Sequence, residues 1–206
     1  MTLFELIWDV LSLNRAPFEA LLARPGRLRL ALGVVFSAGL SRTLGQSFVL
    51  FANSVKRRRF IISLVVGAAL YVFGFLFLVS SIWLVAHYGL RLEQSLARVV
   101  AAVGVAYAPY LFSFFMLTPY FGSFFGVVLS VWNLAAILVA LSVTLGTGLM
   151  EALVCSALGW LLLQVAERTL GRPLQALRLT LRQLAAGKRL ELGRAQLQDL
   201  IRRGRK

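Results

Sequence analysis

Few side chains in this chain could do chemistry, and their types and spacing exclude most reactions. His87 is the only histidine and Cys155 the only cysteine, so neither a multi-histidine nor a thiolate metal site can be assembled, and no intramolecular disulfide can form. Gly122-Ser123 offers a serine nucleophile of the kind intramembrane proteases use, but that chemistry needs a histidine within hydrogen-bond reach. His87 is the one candidate, and it lies beside Trp83 and Tyr88 at the end of an apolar run, where an interfacial ring is the simpler role. The sequence holds no glycine-rich phosphate loop, paired-carboxylate site or dinucleotide fingerprint. The expectation is a protein that is not an enzyme and uses no metal or cofactor.

Polar residues inside apolar sequence are the better lead. An arginine at mid-bilayer costs about 2.5–3.5 kcal/mol on insertion scales, so it has a reason to be there. Arg42 lies roughly midway along an apolar segment over 28–52, with Gln46 one turn later on the same helical face. Asn133 sits at a comparable depth in a later segment, and Glu151 just inside the last one. Depth favours Asn133 as the partner of Arg42, whereas charge favours Glu151. Arg42, Gln46, Asn133 and Glu151 therefore form the candidate intramembrane polar network. It would line a cavity or hold a lipid headgroup, or, more simply, bond the bundle together or mark the wet apex of a re-entrant turn.

The elements that must position these residues are membrane helices. No Asp, Glu, Lys or Arg occurs over residues 60–90, nor over 99–150. At about 1.5 Å per residue these runs reach roughly 46 and 78 Å as helices. A hydrocarbon core of about 30 Å is crossed once by the first and twice by the second. The chain is 59% hydrophobic and 15% charged, with mean hydropathy +0.81. An all-α polytopic membrane bundle follows, because lipid cannot satisfy free backbone groups. About five membrane segments are expected, over 28–52, 60–86, 99–117, 123–145 and 149–165. Thr118-Pro119 and Gly146-Thr147-Gly148 supply turns.

Three regions are expected: an amphipathic lead-in over 1–27, the bundle over 28–167 and a basic tail over 168–206. In the lead-in, Phe4, Ile7, Trp8 and Leu11 fall on one face, suiting a helix that lies on the membrane or packs on the bundle. Glu5 and Asp9 argue against a secretory signal. In the tail, Leu174, Leu177, Leu181 and Leu184 make a stripe edged by Arg178 and Arg182 and followed by Lys188 and Arg189. That pattern suits an interfacial helix on anionic lipid. The net charge of +14 flanks apolar spans, so it points to headgroups and not to nucleic acid.

Orientation can be read from basic residues near the spans. Five full crossings divide them almost evenly. A re-entrant first segment instead gathers Arg15, Arg24, Arg27, Arg29, Lys56–Arg59 and the near tail on one side, and leaves only Arg91 and Arg98 on the other. The charges thus predict a broken or re-entrant first segment, with both termini cytoplasmic. Gly67, Ala68, Gly74 and Ser81, together with Gly122-x-x-x-Gly126, are small residues that would let helices approach closely.

The run Arg98-Val-Val-Ala-Ala-Val-Gly104-Val-Ala-Tyr107-Ala-Pro109 resembles the third-span signature of the Yip family, the Ypt/Rab-interacting membrane proteins. Pro119, Gly122 and Trp132 with Leu134-Ala135-Ala136 resemble its fourth span. Asn14-Arg15-Ala16-Pro17-Phe18 and Arg24-Pro25 are similar to the lead-in of its bacterial members. The resemblance covers about residues 12–166. It implies five helical spans, a cytosolic N-terminus and no enzymatic activity. Eukaryotic members bind small GTPases, but this chain lacks their long N-terminal domain and adds a basic tail, which argues against a GTPase partner. The expected function is a non-enzymatic scaffold or organiser in a bacterial cytoplasmic membrane, binding protein partners and anionic lipid. The alternative is a small transporter or channel subunit working at the level of Arg42, Gln46 and Asn133.

Overall fold

The computed structural model describes residues 3–51, 57–118 and 120–165. Every regular element among them is helical: α1 (Leu3–Leu11), α2 (Ala16–Leu22), α3 (Arg27–Phe51), α4 (Arg57–Leu84), α5 (Leu96–Ala106), a 3₁₀ helix (Ala108–Leu117), α6 (Gly122–Leu145) and α7 (Leu149–Val165). Three stretches are long and apolar enough to cross a membrane: Phe60–Gly89, Leu96–Leu117 and Gly122–Leu145. α7 is apolar but shorter.

The expected break in the first segment is absent. α3 is one unbroken helix of 25 residues, roughly 37 Å at the α-helical rise. Gly39 lies against Ala68 and Tyr71, and Thr43 against Gly67, so α3 and α4 run antiparallel at close approach. Arg42 therefore lies within a straight rod, not at the apex of a turn. A rod also carries the chain from one end of the bundle to the other. The helix pair α1–α2, the start of α3 and the 90–95 loop share one end, where the Arg15 guanidinium donates to Ser142 Oγ at 3.3 Å near the close of α6. From that end α7 runs back toward the one where Arg57–Arg59 open α4, and the described chain finishes within it at Val165. Burial against the neighbouring helices, through Ala31, Val34, Val35, Ala38 and Ser41, is what keeps this segment a continuous helix.

The break falls in the third segment instead. α5 is lined by small residues, buried from Val99 to Ala106. At Tyr107 the pattern changes: Tyr107 N–H donates to Gly104 O at 3.3 Å and Tyr110 N–H to Tyr107 O at 3.0 Å, both three residues back. Pro109 explains the change, since it has no N–H to continue an α-helical ladder. The tighter winding lasts ten residues, where runs beyond three or four are uncommon. Ser41 of α3 accounts for the persistence. Its hydroxyl donates to Leu111 O at 2.8 Å and accepts from Phe114 N–H at 3.0 Å, latching the 3₁₀ backbone to α3.

α6 ends at Gly146, whose φ of 67° is the left-handed cap that glycine adopts without strain. α7 returns antiparallel to α6 and packs through Ala152, Cys155, Ser156 and Gly159, with most of its remaining surface exposed. A Cβ on Gly159 would come within 3 Å of the Ile82 backbone, so only glycine permits this approach. In the lead-in, α1 packs on the bundle, with Leu6 and Val10 fully buried while Trp8 is 63% exposed. The inward face thus overlaps the one expected, since Leu11 is buried and Ile7 partly so, but it is rotated enough to leave Trp8 outside. The tail residues Arg178, Arg182, Lys188 and Arg189, and also Pro119, lie outside the described residues.

Candidate functional site

The polar centre forms where α3, α4 and the 3₁₀ helix meet. The Arg42 guanidinium lies 5.8 Å from the centroid of the Tyr71 ring and 5.5 Å from that of Tyr110. Tyr107 stands edge-on to both, its ring centroid 6.0 Å from Tyr71 and 5.7 Å from Tyr110, and Phe75 closes the cluster 5.0 Å from Tyr107. A cation over a tyrosine face gains about 0.5–2 kcal/mol, more when water is excluded. Two such faces offset much of the insertion cost of the arginine without a counter-ion.

Neither expected partner supplies that role. Glu151 stays at the start of α7 and accepts the Gly148 N–H at 3.4 Å, capping its own helix. Asn133 is buried halfway along α6 and faces a different space, a cavity of about 380 Å³ between α4, the α5–3₁₀ junction, α6 and α7. Tyr107 and Tyr110 line that cavity as well, so they form a wall shared by the arginine centre and the asparagine cavity. Of Gln46 only its place on α3 is described, one turn beyond Arg42.

Residues singled out by the family resemblance serve as joints. Gly104 lets α5 meet α3, since a Cβ there would lie 2.9 Å from that of Ala31. Tyr107 and Pro109 make the change of helix type. Trp132 Nε1–H donates to Leu11 O at 3.0 Å, tying α1 to α6. Gly122 and Gly126 both face Met116, where a Cβ on Gly122 would collide with its carbonyl oxygen. Arg98 is exposed in the first turn of α5 and donates to Gln94 Oε1 at 3.3 Å.

His87 and Ser123 are not brought together. The histidine stacks on Trp83 with ring centroids 5.0 Å apart, in the π-helical turn Val85–Gly89 that ends the α4 rod. Ser123 opens α6 at the other end of the bundle. Tyr71 and Tyr110, and the part Tyr107 plays beside them, are what sequence reasoning missed. Tyr71 comes from α4, Tyr107 from the α5–3₁₀ junction and Tyr110 from the 3₁₀ helix, and only the pairing of α3 with both neighbours reveals the cluster. No family model, curated protein or solved structure matches this chain.

Proposed function

We propose that the chain is a non-enzymatic multi-pass membrane scaffold that binds protein partners and, through its basic ends, anionic lipid. One observation supports this over a transport pathway: the half-buried Arg42 guanidinium is flanked by the rings of Tyr71 and Tyr110, and Tyr107 and Tyr110 wall it off from the cavity that Asn133 lines. A permeating polar solute needs a continuous line of exposed polar groups, and here aromatic faces interrupt it. In the same reading all of α3 to α7 cross a bacterial cytoplasmic membrane, and the strongly basic tail lies on its cytoplasmic side. The N-terminal helices and the 90–95 loop then lie outside. The Yip-like spacing of Arg98, Gly104, Tyr107 and Pro109 suits five helical spans, while an outside N-terminus departs from the cytosolic one that the resemblance implies.

Crosslinking in native membranes followed by purification tests the reading. A protein partner should be recovered at near-stoichiometric yield, and the double variant Arg42→Leu, Asn133→Leu should retain it. Loss of the partner together with loss of a solute flux in liposomes would transfer the function to the polar level. Cysteine labelling in a Cys155→Ser background checks the orientation: sites near Arg24 should react from outside and sites near Arg168 only from inside.

A further inference from the structure

We propose that the cavity beside Asn133 binds one uncharged lipid chain through a single carbonyl or hydroxyl group held at mid-membrane. Its volume of about 380 Å³ lies at the lower end of ordinary ligand pockets, which run from about 300 to 1,000 Å³. Leu78 and Ile82 of α4, Ile137 of α6, and Leu153 and Trp160 of α7 give it apolar walls suited to a hydrocarbon chain. Leu134 and Trp160, each about half exposed, sit on its rim at the membrane-facing surface of α6 and α7.

The polar content is sparse and specific. Asn133 is 5% exposed, and its Oδ1 has no hydrogen-bond partner, a condition that costs about 1–3 kcal/mol for a buried polar group. The serine hydroxyls of the wall and that of Tyr110 are already engaged, whereas the Tyr107 hydroxyl also lines it. Ser130 Oγ donates to Gly126 O at 2.7 Å, Tyr110 Oη donates to Ser130 Oγ at 3.3 Å, and Ser156 Oγ donates to Leu153 O at 2.9 Å. The asparagine carboxamide, whose oxygen is buried without a partner, is therefore the main group left to recognise a ligand, with the Tyr107 hydroxyl in the same wall. The carboxamide offers both donors and an acceptor.

Charge and depth restrict the ligand further. No lining residue is an acid or a cation, and the nearby guanidinium is spent on the tyrosine rings, so a phosphate or carboxylate would enter without a counter-ion. Asn133 lies roughly 17 Å of helix rise from either end of α6, far below the headgroup level. A phospholipid cannot bring its head there. A long-chain alcohol or a prenyl-chain carbonyl compound can, and the two share the chemistry the carboxamide reads.

The test uses the full chain in lipid nanodiscs with two photoreactive probes, a diazirine long-chain alcohol and a diazirine phosphatidylcholine. The alcohol should label the α6 and α7 residues of the cavity saturably. Competition by an unlabelled long-chain alcohol or by a short-chain prenylquinone then tells the two sources apart. Asn133→Leu should weaken alcohol binding about three- to tenfold, the worth of one hydrogen bond. Ala157→Trp, which fills the cavity from the opposite wall, should abolish it and serves the same purpose if the first variant does not fold. Equal labelling by phosphatidylcholine, failure of both competitors, or unchanged affinity in both variants would overturn the proposal. The partner yield is a separate readout, so the scaffold reading and this site can fail independently.

Discussion

α3 and the rod made of α5 and the 3₁₀ helix lie side by side and run in the same direction, yet they meet opposite difficulties. α3 carries a charge at its middle, glycines at 33, 39 and 45 and a Ser-Arg-Thr run, and it remains a regular helix from Arg27 to Phe51. Its neighbour carries no charge beyond Arg98 in the first turn of α5, and it changes winding at Tyr107. A charge is a problem of solvation, which side chains from adjacent helices can solve without moving the backbone. A proline is a problem of backbone bonding, which no side chain on the same helix repairs. The two solutions are also linked, because α3 supplies Ser41 to the 3₁₀ backbone while the 3₁₀ helix supplies Tyr110 to Arg42.

The largest effect should come from cutting the backbone latch. Ser41→Ala leaves Leu111 O and Phe114 N–H without their partner, and two unmet backbone groups at mid-membrane should cost about 2–4 kcal/mol. Thr43→Val is the control. Thr43 Oγ1 donates only to Gly39 O within its own helix, at 2.7 Å, so its isosteric replacement should cost less than about 1 kcal/mol. Reversible unfolding in mixed micelles reads both. Equal losses would show that α3 does not hold the 3₁₀ segment in place.

Removing the charge should matter less, since two large terms oppose each other. Arg42→Leu forfeits two cation–π contacts, together about 1–4 kcal/mol, and relieves an insertion cost of about 2.5–3.5 kcal/mol. The expected net change runs from a loss of about 1.5 to a gain of about 2.5 kcal/mol, measured by the same unfolding experiment. Tyr110→Leu should be worse than Arg42→Leu, because it strips one face from a charge that remains. The reverse order would make the arginine the keystone of the bundle.

Helix content and the apolar spans were legible in the sequence because they depend on local composition. Long runs without charge demand helices in lipid, and Gly146 marks the end of α6 from sequence alone. Tertiary relations were not legible. The charge count weighed only basic residues near the span ends, which say nothing of whether a segment stays helical, and the rings that flank Arg42 come from residues 71 and 110. Pro109 was noticed only as part of a motif, although a proline within a span is the stronger signal for a change in backbone. The Asn133 cavity depends on the closeness of α7 to α4 through Gly159 and Ile82, a contact between distant residues that no local pattern encodes.

The smallest effect concerns two glycines of α4 that look alike in sequence and differ in surroundings. A Cβ on Gly67 would lie 2.7 Å from Thr43 Cγ2 and 2.8 Å from its Oγ1, whereas one on Gly74 meets nothing within 4 Å. Gly67 is thus part of the close approach between α4 and α3, while Gly74 belongs to the open surface of α4. Gly74→Ala should be neutral or stabilise by up to about 0.5–1 kcal/mol, the intrinsic helix preference of alanine. Gly67→Ala gains the same preference but must push Thr43 aside, and overpacking of this kind costs about 1–3 kcal/mol. Its net effect should be a loss of about 1 kcal/mol, partly recovered when Thr43→Ser removes the methyl group that is met first. Recovery in that double variant, absent when Thr43→Ser is paired with Gly74→Ala, would place the α3–α4 contact at this residue pair. Equal behaviour of the two glycines would mean that α4 does not approach α3 closely there, and the Arg42 cage would lose the Tyr71 side of its support.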